Sequence, residues 1–207
     1  YTANHSLAYT PGTDEQYSNA GYYLLGEVIA HAAGKTYERF LREDLGAPHD
    51  VTRLWVSDSL VNLRRAGEVD YHNRELDITP SEMHTDRRVM PIQYGGNGDD
   101  NLDRRAAAGG IITSPVDYLR VLSGALDLGR DGGIFHQSTV DTMLAASTSG
   151  STTIGGFDHR VVRPNGVVAY DKNGMLWGSS ALVIYRSDGV AIAMFDNLAN
   201  NVPSITT

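Results

Sequence analysis

The stretch PGTDEQYSNAGYYLLGEVIAHAAG, Pro11 to Gly34, decides the reading of this chain. A polar loop runs into an apolar helix, and the triplet Tyr17-Ser18-Asn19 sits at the junction. From Ala20 the apolar positions Leu24, Leu25, Val28, Ile29 and Ala32 recur at helical spacing, and Gly34 supplies the stop. Tyr17 and Asn19 are two positions apart, so an extended entry segment points both side chains to one side, with a rigid helix behind them. That arrangement can present a phenol and an amide to a ligand. Capping alone also accounts for the triplet, because Ser18 and Asn19 are both residue types that accept bonds from the free N–H groups of a helix start.

Working outward, Tyr1 to Gln16 reads as loop with a turn at Pro11-Gly12. Thr36 opens a second helix, with Tyr37, Phe40, Leu41 and Leu45 on one side and Gly46 and Pro48 at its end, so a helical hairpin is expected. From His49 to Asp103 the periodicity fades into long loops, with a short strand expected at Leu54-Trp55-Val56. The cluster GGNGDDNLD, Gly95 to Asp103, fails as a calcium loop because the position needing glycine, counted from Asp99, is Arg104. AAAGGIIT, Ala106 to Thr113, brings small residues to a place where backbones pass closely. Ser114-Pro115-Val116-Asp117 then starts a helix running to Gly129, and Ser138 to Asp141 repeats that capping pattern. From about Phe157 the chain turns β-rich. Asn165-Gly166 signals a two-residue hairpin, and Ser187-Asp188-Gly189 joins the apolar runs Ser180–Tyr185 and Val190–Phe195, which together predict an antiparallel meander. The division expected is residues 1–156, mainly helical with long loops, and residues 157–207, the meander.

Composition excludes several classes. With 207 residues, 41% of them hydrophobic, the chain can bury a core, and its net charge of −8 carries no basic stripe to track nucleic acid. There is no cysteine, which removes disulfides and thiolate chemistry. The seven histidines are scattered without metal-ligand spacing, so neither a metal nor another cofactor is implied. No apolar run approaches the roughly 20 residues of a membrane span.

Of the 17 basic residues only Lys35 and Lys172 are lysines, which makes each a discrete feature. Lys172-Asn173-Gly174 ends the strand beginning at Val167, and Gly174 would let another backbone approach. A lysine facing a cleft can anchor a carboxylate and stabilise a nearby phenolate. It can equally be the charge that keeps an edge strand from aggregating.

Read together, these segments resemble the serine β-lactamase and penicillin-binding-protein family, in the branch of class C β-lactamases, D-Ala-D-Ala peptidases and related esterases. Four segments agree in order: the Tyr-x-Asn stretch from Pro11 to Leu41, RRAAAGGIITSPVDYLRVL, DKNGMLWGSSALVIY where the family has Lys-Thr-Gly or His-x-Gly, and the closing VAIAMFDN. The resemblance implies an α/β (α+β) fold, β-lactamase/transpeptidase-like, with helices packed on an antiparallel sheet that this chain leaves incomplete. It implies Tyr17 and Lys172 as catalytic residues, the phenol shuttling protons and the ammonium holding its charge. Asn19, Asn173, Gly174 and Met175 would bind substrate, Met175 through a backbone N–H in the oxyanion hole. Asn173 stands where the family usually has Thr or Ser.

The family's nucleophile is the serine of a Ser-x-x-Lys helix. Here the residues three before the two lysines are Ala32 and Ala169, so the chain is expected to be part of a larger serine hydrolase and to lack its nucleophile. Such a hydrolase would act on a β-lactam, a D-amino-acid peptide or an ester through an acyl-enzyme. The competing expectation is a non-catalytic binding module that keeps the cleft. A small-molecule or peptide substrate is the implied partner, and a second chain or an N-terminal segment would complete the sheet. A secreted or periplasmic setting goes with the resemblance.

Overall fold

A computed structural model describes residues 6–58, 63–71, 78–80, 89–91, 106–126, 133–145, 154–176 and 178–198. The Gly95 to Asp103 cluster and the expected helix end at Gly129 lie outside these residues. Helix α1 spans Asn19–Ala33. Ser18 is its N-cap, with the Gly21 N–H donating to Ser18 Oγ at 3.0 Å. Gly34 at φ 64° closes the helix in the left-handed conformation, and the Lys35 N–H returns to the Ala30 carbonyl. The second helix starts as α2, Tyr37–Phe40, capped by the Thr36 side chain, and runs on through a wider turn at Leu41–Gly46 and a tight one at Ala47–His49.

Short strands then tie distant pieces together. Strand β1, Leu54–Val56, pairs antiparallel with β4, Ile111–Thr113, which follows the one-turn helix α3, Ala106–Gly109. Between them in sequence, β2 (Ile78–Pro80) pairs with β3 (Val89–Pro91). Leu41, Val51, Leu54, Val56 and Ala106 form one core, with Tyr37, Leu45 and Val121 packed on it. Burial pushes the Tyr37 hydroxyl above the ordinary phenol range, as expected for a phenol whose ring lines a core.

Helix α4, Pro115–Leu126, begins as its sequence implies, the Asp117 N–H donating to Ser114 Oγ at 3.1 Å. Helix α5, Gln137–Leu144, does not: its N-cap is His136 and no side chain caps it, because Ser138 already lies inside the first turn. The meander is the sheet β5-β6-β7-β8, all antiparallel: His159–Val162, Val168–Leu176, Ser179–Arg186 and Ala191–Asp196. Side chains alternate between its faces, and Tyr170 and Tyr185 share the face that meets the helices. There Leu126, Val140, Ile154, Phe157, Tyr170 and Tyr185 form the second core, and the Tyr185 hydroxyl donates to the Leu126 carbonyl at 3.1 Å. Tyr118 of α4 meets Phe195 of β8 edge to face, with ring centroids 5.8 Å apart. Each large apolar side chain buried here contributes about 1.5–3 kcal/mol.

The hairpin joining β5 to β6 is longer than the two-residue turn expected. Gly166 N–H bonds the Arg163 carbonyl at 2.9 Å and Arg163 N–H bonds the Val167 carbonyl at 2.8 Å, so the turn centres on Pro164-Asn165 with Gly166 at φ 81°. Pro164 is the physical reason, because its ring holds φ near −65° and favours the first central position of an ordinary turn. The β7–β8 hairpin repeats the same bonds at Arg186-Ser187-Asp188-Gly189, with Gly189 at φ 86°. The mixture of helices and antiparallel sheets agrees with the fold class expected.

Candidate active site

At the start of α1 the chain leaves Tyr17 81% exposed, its hydroxyl donating to Asn19 Oδ1 at 2.9 Å. Ser18, between them, points the other way and caps the helix. The triplet therefore does both things its residue types allow: the middle residue satisfies the helix, and the outer two meet each other in solvent.

The second triplet lies on β6. β6 runs between β5 and β7, but its pairing with β5 ends at Asp171, so Lys172 lies just past the paired part, where among the described residues that side of β6 is an edge. Lys172 Nζ donates to Asp158 Oδ1 at 2.6 Å, and the Asn173 backbone N–H donates to Asp158 Oδ2 at 2.9 Å. One carboxylate thus holds both the ammonium and the backbone of the next residue. Tyr17 and Lys172 bond these separate partners, Asn19 and Asp158, and no hydrogen bond or ion pair joins the two among the described residues.

Strand β5 ends the pairing of β6 at Asp171, opposite His159. The Asp171 carbonyl accepts from the Asp158 N–H and the Asn173 N–H also points that way, so alternation along the strand turns the Met175 N–H to the same side. Among the described residues no strand pairs with β6 on that side beyond Asp171. The Met175 N–H is thereby aimed outward from a free strand edge, beside a side chain that is 63% exposed. Among the described residues no close backbone approach is made at Gly174: a Cβ built there would meet none of their atoms within 4 Å. The missing side chain leaves open space instead, which suits access to Lys172 and Met175.

Sequence reasoning missed Asp158. Its signal is the strand register: a two-residue turn at Asn165-Gly166 would set His159 opposite Lys172, whereas the longer turn sets His159 opposite Asp171 and brings Asp158 to Lys172. Asp171 is fully buried (0% exposed), its carboxylate against His159 Nδ1 at 3.1 and 3.2 Å. That pair lies on the opposite face of β6 from Lys172 and braces the β5–β6 ladder. Among the described residues no group of His, Asp and Glu could hold a metal ion, and no helix is long and apolar enough to cross a membrane.

Residues 1–205 match the family described as Beta-lactamase. The D-alanyl-D-alanine-carboxypeptidase/endopeptidase AmpH of Escherichia coli (strain K12) is 24% identical over 120 residues, which are 58% of this chain and 25% of that protein. Among solved structures, the octameric penicillin-binding protein homologue from Pyrococcus abyssi superposes with a TM-score of 0.63 at 20% identity, over 92% of this chain and 40% of that one. The D-amino acid amidase from Ochrobactrum anthropi SV3, complexed with D-phenylalanine, gives 0.60 at 22% identity, over 95% and 59%. The penicillin binding protein from Bacillus halodurans gives 0.64 at 14% identity, over 93% and 55%. The solved structures are likenesses of fold. The chain spans about a quarter of the length of the curated relative it matches.

Proposed function

Because this chain belongs to the beta-lactamase family, we propose that it forms the proton-transfer and substrate-orienting wall of a serine hydrolase that acts through an acyl-enzyme on D-amino-acid peptides, amides or esters. The observation that carries the proposal is the Tyr17 hydroxyl on Asn19 Oδ1 at 2.9 Å, solvent-facing at the capped end of a 15-residue helix. A rigid helix start is where a phenol and an amide can be held in fixed relation to a substrate. In the proposed reaction a serine hydroxyl adds to the substrate carbonyl, and the Tyr17 hydroxyl relays the proton: it gives its own proton to the leaving amine or alkoxide as it takes the one the serine releases. Water then adds to the acyl-enzyme, returning a proton to the serine oxygen by the same relay and releasing the acid. Asn19 orients the substrate amide, and the outward Met175 N–H supports the developing oxyanion. Asn173 lines the same edge, its backbone already fixed by Asp158. The serine itself is not in a Ser-x-x-Lys within these residues.

The test is acylation of the natural full-length polypeptide by a fluorophosphonate probe. Tyr17→Phe is expected to slow labelling by about 10²–10⁴-fold, the usual contribution of a positioned acid–base group. Tyr22→Phe, an exposed phenol one turn along α1, is expected to label at the parental rate. Labelling of Tyr17→Phe within threefold of the parent would remove Tyr17 from the chemistry and the proposal with it.

A further inference from the structure

Lys172 is held by an internal acid. Its ammonium is 2.6 Å from Asp158 Oδ1, and the other oxygen of that carboxylate takes the Asn173 N–H at 2.9 Å. The pair is only partly screened, with side chains 41% and 25% exposed. A negative ligand reaching for Lys172 therefore approaches an already neutralised cation, and comes within a few ångströms of the Asp158 charge. Two N–H bonds of the ammonium are left over, and these can donate to a neutral carbonyl oxygen, whose approach brings no second negative charge up to Asp158. Among the described residues nothing lies within 4 Å of a Cβ built on Gly174, two positions past Lys172 on the same face of β6, and the chain as a whole carries a net charge of −8, which adds to the repulsion of anions at low salt.

From this geometry we infer that Asp158 sets the specificity of the site, favouring acyl substrates that offer a neutral ester or amide at Lys172 over those that offer a carboxylate. The inference rests on the reading of Tyr17, Asn19 and Lys172 as one site. It narrows that reading to uncharged substrates and makes Asp158 a positioning residue that acts through Lys172.

Two nearly isosteric probes separate the alternatives: N-acetyl-D-alanine, an anion, and its N-methylamide, which is neutral. Binding to the natural polypeptide is followed through the backbone amide shifts of Asn173 and Met175. The parent is expected to bind the methylamide more tightly. Asp158→Asn is expected to strengthen carboxylate binding on the order of fivefold, the size of an exposed ion-pair effect, and to leave the methylamide nearly unchanged. Asp158→Glu keeps the charge and the preference of the parent, which separates charge from simple disturbance of the β5–β6 turn. A parent that prefers the carboxylate, with Asp158→Asn making no difference, overturns the inference while the shifts at Asn173 and Met175 leave the site reading standing. If neither probe moves those amides in any variant, both fall together.

Discussion

Gly26 is where α1, which begins beside Tyr17, passes close against α3. It is the one buried residue of α1, and a Cβ built on it would lie 2.7 Å from the Ala107 Cβ of α3. Two effects oppose each other in Gly26→Ala. Alanine improves helix propensity by roughly 1 kcal/mol, but forcing a methyl into a contact of that length costs about 1–3 kcal/mol, because the neighbouring atom hangs directly on backbone and α3 must shift as a whole. The overlap wins: a net loss of about 1 kcal/mol is expected in the midpoint of urea unfolding. Adding Ala107→Gly should return most of it. Equal stability of single and double variants would show that the helices do not meet there.

At the scale of elements, the starts and stops were legible where one residue does one job. Ser18, Gly34, Thr36 and the Ser114-Pro115 pair each mark an end because the backbone groups they satisfy are local. The start of α5 was not, since His136 caps it by conformation alone and no side-chain bond leaves a mark in sequence. The hairpin at Pro164-Asn165-Gly166 shows how a local misreading spreads. Asn-Gly favours a two-residue turn, Pro164 overrides it, and the one-residue difference in pairing decides whether Lys172 faces a histidine or an acid. Of the proposed site, Tyr17, Asn19 and Lys172 stood out by residue type, spacing and family resemblance, while Asp158 did not, because its contact with Lys172 is created only by that register. The same turn offers a test. Gly166 has φ 81° and a Cβ placed on it would meet none of the described residues within 4 Å, so Gly166→Ala meets backbone strain and no clash with them. About 1–2 kcal/mol of stability should be lost in urea unfolding. A neutral effect would mean that the turn readily adopts another form.

For the molecule as a whole, the chain alone should be chemically silent toward acylating probes, since neither of its lysines has a serine three residues before it. Intact-mass measurement of these 207 residues after incubation with a β-lactam or a fluorophosphonate is expected to show no stoichiometric adduct. An adduct on any serine would reveal a nucleophile activated in some other way. Leu24, Leu25 and Val28 on α1 and Ile192 and Met194 on β8 stay exposed, so helical spacing correctly marked a helix but not which of its apolar residues would be buried. Burial there follows the small residues instead, at Gly26 against Ala107. Helix α4 contributes to both interiors, Val121 to the core around Leu54 and Leu122, Ala125 and Leu126 to the core around Tyr170. Loosening either side strips a wall from the other, so the helical hairpin that follows Tyr17 and the sheet that carries Lys172 are expected to melt in a single cooperative transition.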